Sequence, residues 1–129
     1  MTIFRIRYVD DEPDIRDIVE LSLALDPTLS VRTCASGVEA ITVAVDWRPD
    51  MILCDVMMPV MGGPATLARL RENPCTVDIP VIFMTARAQK KELEYFESLG
   101  VLSVIAKPFD PMSLSDMVHS QLRASGKSA

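Results

Sequence analysis

Short apolar runs alternate with amphipathic stretches along the chain. The runs are rich in Val, Ile and Leu, as the strands of a buried sheet are. They are IFRIRYV (3–9), LSVRTCA (29–35), MILC (51–54), PVIFMT (80–85) and VLSVIA (101–106). The segments between them carry apolar residues at helical spacing, for example Ile15, Ile18 and Val19. Five strands that alternate strictly with five helices predict an α/β fold, in which helices cover both faces of a parallel sheet.

Nothing in the pattern divides the chain into parts. Turn-forming residues lie between the elements, and no linker, internal repeat or low-complexity segment interrupts them. We therefore expect one domain over residues 1–124. The small, polar residues 125–129 are expected to form a disordered tail.

Composition narrows the class of protein. The 129 residues, 49% of them hydrophobic, suffice for one buried core, and the net charge of -5 argues against a nucleic-acid-binding surface. No apolar run approaches the roughly 18 residues of a membrane span, and the acidic N-terminus is not a signal peptide. Three cysteines and one histidine, widely spaced, form neither a disulfide framework nor a zinc site. We expect a cytoplasmic protein with reduced thiols, bound to neither membrane nor nucleic acid.

Four of the predicted strands end in charged or hydroxyl side chains. In chain order these are Asp10-Asp11, Asp55, Thr85 and Lys107. An Asp at one strand end is more often a helix cap than a reactive group. In an open parallel sheet, however, the carboxyl ends of the strands share one edge, where ligands bind. We therefore expect three carboxylates, a hydroxyl and an ammonium to lie together.

This set of groups favours phosphate chemistry. Crowded carboxylates repel one another unless a cation lies between them, and an all-oxygen set suits Mg²⁺. Lys107 provides a second positive charge for an anion. A carboxylate that attacks a phosphoryl group forms an acyl phosphate, and such transfer needs mainly positioning and charge neutralisation.

At these residues the sequence resembles the receiver domain of two-component response regulators. The matching segments are Val9 to Glu12, Asp55 to Gly63 (DVMMPVMGG), Thr85-Ala86 and Lys107 to Phe109, and the resemblance runs from Ile6 to about Leu122. It implies a flavodoxin-like, doubly wound (βα)5 fold with strand order 2-1-3-4-5. It also implies a signalling switch rather than an enzyme that turns over external substrates.

The resemblance assigns roles to single residues. Asp55 is implied as the phosphoacceptor and as a ligand of Mg²⁺. Asp11 is implied to bind the ion directly and Asp10 largely through water, with the main-chain carbonyl of Met57 as a further ligand. Thr85 is implied to donate a hydrogen bond to the phosphoryl group and Lys107 to pair with it. The Lys107-Pro108 peptide bond is implied to be cis.

The resemblance also implies the partners. The phosphoryl group would come from a sensor histidine kinase or a histidine phosphotransfer protein. The fourth helix, fifth strand and fifth helix, about Gln89 to Leu122, would then bind a downstream protein or an output domain. Whether the chain forms a homodimer, which pathway it serves and whether an output domain follows Ala129 stay open.

The chain departs from the family pattern at two positions. Val104 stands where the family usually has Tyr or Phe, so a ring that rotates on phosphorylation is absent. We expect Thr85 to move all the same, with the loop after strand four filling the space. Arg7 stands in a strand that is usually apolar in the family. We expect Arg5 and Arg7 to lie towards the open end of that strand, and we favour this position over the alternative that they bind a partner.

Two other functions are weighed. A phosphate-independent pseudo-receiver would have lost a key residue, and none is missing. An aspartate-nucleophile phosphatase wants a second Asp two residues after the nucleophile, where this chain has Met57. His119 is interpreted as a lone exposed helix residue, not a phosphodonor. The methionines of the loop are interpreted as serving packing and turn geometry, and Gly62-Gly63 as a turn that opens the third helix.

Overall fold

The computed structural model describes residues 2–126. Within that range five strands alternate with five α-helices, and a short 3-10 helix, Pro111–Ser113, precedes the last of them. The elements are β1 (Phe4–Val9), α1 (Pro13–Ala24), β2 (Leu29–Cys34), α2 (Gly37–Asp46), β3 (Met51–Asp55), α3 (Gly63–Glu72), β4 (Val81–Thr85), α4 (Lys90–Ser98), β5 (Ser103–Ala106) and α5 (Leu114–Ala124). The predicted alternation is confirmed.

The strands form one parallel sheet in the order β2-β1-β3-β4-β5. This order confirms the flavodoxin-like, doubly wound fold. Because β1 lies between β2 and β3, residue Val9 pairs with Cys34 on one side and Cys54 on the other. The carboxyl ends of β1 and β3 are therefore adjacent, and the residues that follow them share one edge of the sheet.

Side-chain alternation along β1 divides the interior into two cores. Phe4, Ile6 and Tyr8 pack with buried side chains of α1 and α5. Val9 faces the opposite side, where it packs with residues of α2, α3 and α4. Two helices thus cover one face of the sheet and three cover the other, as a buried parallel sheet requires.

Each strand differs from its predicted range by one or two residues at one end, and β3 and β5 illustrate this. β3 extends through Asp55, because this residue stays in register with Met84 of β4. β5 begins at Ser103, later than the predicted start at residue 101. The first difference matters for the site, since it places the Asp55 backbone within the hydrogen-bonded ladder.

The two arginines of β1 lie in different environments. Arg5 is exposed, as expected for the open end of the strand. Arg7 is only 4% exposed, so the prediction is wrong for this residue. Its guanidinium lies over the ring of Trp47, the residue after α2, with 4.9 Å between Cζ and the ring centroid. A ring at the end of α2, rather than a carboxylate, covers the buried cation.

The chain after α5 is described only in part. The backbone amides of Ser125 and Gly126 donate to the carbonyls of Gln121 and Arg123, so the first two residues of the predicted tail form a hydrogen-bonded turn. Residues 127–129 lie outside the described residues, and a domain boundary at residue 124 stays a prediction. Between residues 2 and 126, no helix is long and apolar enough to cross a membrane.

Candidate functional site

Backbone hydrogen bonds hold the residues that follow three of the strands in place. The amide of Asp10 donates to Cys34 O at 3.1 Å, and the amide of Lys107 donates to Thr85 O at 2.8 Å. Val56 N, directly after Asp55, donates to Met84 O at 3.0 Å. The ladder thus continues past the ends of the strands, and their side chains start from fixed backbone.

Three carboxylates meet at this edge. Asp10 is fully buried, Asp55 is 4% exposed and Asp11 is half-buried. One carboxylate oxygen from each lies within 4.8 Å of the others. Burial raises the pKa of Asp55 to about 6; the charge of Lys107 opposes this shift and that of Asp10 adds to it. The predicted cluster is therefore present, and its geometry places unfavourable negative charge in a small volume.

Lys107 joins the two most buried carboxylates. Its Nζ lies 2.8 Å from Asp10 Oδ2 and 3.2 Å from Asp55 Oδ1. Burial acts to lower the pKa of Lys107, but the hydrogen bond to Asp10 and the charges of both carboxylates outweigh it, so the pKa is raised. The ammonium is fully charged and offsets part of the repulsion. The Lys107-Pro108 bond is cis, as the resemblance implied.

Tyr8 is a member of the site that the sequence reasoning missed. Its hydroxyl donates to Asp10 Oδ2 at 2.7 Å, while Glu12 N donates to Asp10 Oδ1 at 3.0 Å. Burial raises the pKa of Tyr8, so the hydroxyl stays protonated and remains a donor. The signal was a tyrosine two residues before an acidic strand end, since a buried phenol needs a hydrogen-bond partner.

Two further residues implied for the site are Thr85 and Met57. Thr85 is buried at the end of β4, where its Oγ1 accepts from the amide of Arg87 at 2.9 Å. Across residues 2–126, no hydrogen bond joins Thr85 to Asp55. Met57 is 65% exposed, so of the two roles predicted for the loop methionines it has turn geometry and not packing. A role for its main-chain carbonyl stays a prediction.

The loop between β3 and α3 is tightly folded. The amide of Gly63 donates to Val56 O at 3.0 Å, and a Cβ on Gly62 would lie 2.7 Å from that same carbonyl. Gly62 caps α3 and Gly63 begins it, so the interpretation as a turn is confirmed. Val60, at the tip, has φ of 67° and is fully exposed. This left-handed conformation is unfavourable for a β-branched residue.

The model of one protein family matches most of the chain: the response regulator receiver domain, over residues 6–119. The chain belongs to this family. Receiver domains are the regulatory, phosphoaccepting parts of two-component systems, so the resemblance read from the strand ends is confirmed.

Two transcriptional regulators are similar in sequence to more than nine tenths of this chain. The chain is 34% identical over 120 residues to the DNA-binding dual master transcriptional regulator RpaA of Synechocystis, covering 92% of this chain and 49% of that protein. It is 33% identical to the phosphate regulon transcriptional regulatory protein PhoB of Pseudomonas aeruginosa, covering 94% of this chain and 52% of the relative. The chain thus spans about half the length of these relatives.

A solved structure has the same fold. The chemotaxis protein CheY4 of Vibrio cholerae superposes with a TM-score of 0.85 at 28% identity, over 94% of this chain and all of that one. The strand order of this receiver therefore agrees with a solved structure.

Val104 has an ordinary packing role in this receiver. It pairs in register with Phe83 of β4 and packs, partly buried, against the core beneath α4. The nearest aromatic side chains of α4, Tyr95 and Phe96, differ in exposure: Tyr95 is 53% exposed and Phe96 is buried. Because residue 104 is a valine, this position has no aromatic ring that could rotate between buried and exposed positions.

His119 is not the lone exposed residue that the sequence predicted. Its Nε2 lies 2.8 Å from Asp26 Oδ2 and 2.9 Å from Thr28 Oγ1, and its side chain is 24% exposed. Ser115 donates to the same Asp26 oxygen at 2.6 Å. These contacts join α5 to the loop after α1, and hydrogen bonds from Ser115 and Thr28 lower the pKa of Asp26.

Proposed function

We propose that Asp55 accepts a phosphoryl group and that the resulting charge switches this receiver between two surface states. The observation that carries the proposal is the contact of one ammonium, Lys107, with two buried carboxylates at the sheet edge. A structural ion pair needs one carboxylate; here a second and a third lie within 4.8 Å. Such a group carries net negative charge, which is costly to bury without a further cation.

The transfer itself makes modest demands on the protein. An Asp55 carboxylate oxygen forms a bond to phosphorus as the bond to the donor's imidazole nitrogen breaks, and the imidazole leaves with the electron pair. Asp55 must be ionised, and with its pKa raised to about 6 it is mainly so at neutral pH. Lys107, already 3.2 Å from Asp55, is placed to offset the charge of the transferred group. The donor would be a phosphohistidine of a sensor kinase or a phosphotransfer protein.

The acidic cluster fits Mg²⁺. Its donor set is three carboxylates with oxygens within 4.8 Å of one another, which matches the preference of a hard divalent ion. Asp10, Asp11 and Asp55 would hold the ion, with the Met57 carbonyl as a further ligand. When bound, Mg²⁺ would neutralise charge on the phosphoryl oxygens. Hydrogen bonds from the Tyr8 hydroxyl and the Glu12 amide orient the Asp10 carboxylate.

The path from Asp55 to an output surface runs through two residues. A phosphoryl group adds negative charge next to Lys107, which directly follows β5, and close to the end of β4, where Thr85 lies. Thr85 would exchange its bond with the Arg87 amide for one to the phosphoryl group. Both changes act on the surface of α4, β5 and α5, where a downstream protein or an output domain would bind.

Acetyl phosphate with Mg²⁺, followed by intact mass measurement, tests the proposal. We expect one acid-labile phosphoryl adduct in the wild type and none in Asp55→Ala. Asp17→Ala, which removes an exposed carboxylate from α1, is the matched control and should be phosphorylated normally.

The same experiment separates the other functions. If the folded protein gains no phosphoryl adduct, the chain is a pseudo-receiver and the proposal is contradicted. Continuous release of inorganic phosphate at enzymatic rates, dependent on Asp55, would indicate a phosphatase and contradict it as well. A single adduct that decays slowly is the expected result.

A further inference from the structure

Three arginines surround one tryptophan outside the acidic cluster. The Cζ atoms of Arg5, Arg7 and Arg32 lie 5.6, 4.9 and 4.6 Å from the centroid of the Trp47 ring. Arg7 and Arg32 are directly paired in the β1–β2 register, so their side chains leave the same face of the sheet. We call these four residues the arginine–tryptophan cluster.

In the described part of the chain, the guanidinium groups of this cluster lack close ion-pair partners. Among residues 2–126, no ion pair within 4.0 Å joins an acidic side chain to any of the three arginines. The Asp50 carboxylate lies nearby, where it accepts from the Arg5 backbone amide at 2.8 Å. Three like charges around one ring therefore accumulate in a protein whose net charge is -5.

Arg7 makes this arrangement costly. It is 4% exposed, its Nη1 donates to Thr33 O at a long 3.4 Å, and its Nε has no hydrogen-bond partner in the described part of the chain. The attraction of a cation to an indole ring compensates only part of the cost of burying a guanidinium that has no carboxylate partner. An anion seated against the cluster would supply the missing compensation.

We propose that the arginine–tryptophan cluster is a binding site for a small oxyanion of the phosphate class. Arg5 and Arg32 are exposed and would donate to the anion directly, while Arg7, from beneath, would contribute its charge. One guanidinium satisfies a carboxylate, whereas several that converge suit a tetrahedral dianion with more acceptor oxygens. The site lies on the α2 side of the sheet, and it is independent of phosphorylation at Asp55.

Trp47 is the only tryptophan of the chain, so its fluorescence reports on the site directly. The experiment titrates inorganic phosphate into the full chain in EDTA, so that no Mg²⁺ supports binding at the acidic cluster, with sodium chloride at matched ionic strength as the blank. We expect a saturable change in Trp47 emission, half-complete in the millimolar range. Sodium chloride should not reproduce it.

Variants of exposed residues test which side chains bind. Arg32→Gln should weaken the apparent affinity ~10-fold, the loss of one charge-assisted contact. Arg32→Lys should be intermediate, because it keeps the charge without the planar, stacked group. Arg123→Gln removes the same charge from exposed α5, on the opposite face of the sheet, and should bind phosphate as the wild type does.

Several results would overturn the proposal. These are a linear or absent fluorescence response, an equal response to sodium chloride, or wild-type affinity in Arg32→Gln. Amide chemical shifts of the wild type give a reading that needs no variant. Phosphate should shift the amides of residues 5–7 and 30–32, and shifts confined to other segments would show an adventitious ion only.

Discussion

Replacement of Asp55 by Asn should make the protein more stable at neutral pH, although it removes the proposed reactive group. The carboxylate is nearly buried, and its pKa is raised from 3.8 to about 6. A proton therefore binds Asp55 more tightly in the folded state than in the unfolded state. The ionised group destabilises the fold fully above about pH 6, and the effect disappears as the pH falls below the unfolded-state pKa.

The size of the effect follows from this shift. At about 1.4 kcal/mol for each pKa unit, the penalty at neutral pH is at most about 3 kcal/mol. Lys107 would lose one of its two carboxylate partners in Asp55→Asn but would keep Asp10 at 2.8 Å, which limits the compensating loss. We expect a net gain in the free energy of unfolding of about 1–3 kcal/mol.

Urea unfolding followed by far-UV circular dichroism, at about pH 7.5 and about pH 4, measures the gain. Asp17→Asn, on the exposed face of α1, is the matched control and should change stability little at either pH. The reasoning is refuted if Asp55→Asn is no more stable than the wild type at about pH 7.5, or if its gain is equally large at about pH 4.

Other predictions concern single contacts and use the same unfolding assay. Tyr8→Phe should lose about 1–2 kcal/mol, because Asp10 keeps Lys107 and the Glu12 amide but loses the 2.7 Å phenol bond; no loss would show that this bond is dispensable. Asp26→Asn should lose about 1–2 kcal/mol at neutral pH. Since the pKa of Asp26 is lowered, its contribution is present above the ordinary carboxyl pKa and is lost as the pH falls; a deficit independent of pH would contradict this. Val60→Asn should gain about 1 kcal/mol, since Asn tolerates φ of 67° better than a β-branched residue, and a loss would show that the loop prefers Val60 for another reason.

The fold was predictable because each element carries its own signal. The apolar runs and helical spacings are local, and strict alternation of the elements restricts the chain to a parallel sheet. The edge of that sheet then brings Asp10, Asp55 and Lys107 together, although Lys107 lies 97 residues from Asp10. These three residues could be found because each directly ends or follows a strand.

The contacts that were missed depend on side chains from distant segments. The stacking of Arg7 on Trp47 requires the end of α2 to lie over β1, which no local pattern encodes. The His119–Asp26 contact joins residues 93 apart, one in α5 and one in the loop after α1. At His119 the sequence shows only a polar helix face. In both cases the residue type predicted an exposed side chain, and tertiary packing supplied a partner.

The central claim is that Asp55, and not a neighbouring carboxylate, carries the phosphoryl group. Reduction of the acetyl-phosphate-treated protein with borohydride converts an aspartyl phosphate to homoserine, and peptide mass spectrometry then locates the changed residue. The account predicts homoserine at position 55 alone. Homoserine at position 10 or 11 would contradict it. So would the absence of homoserine from protein whose intact mass shows the phosphoryl adduct.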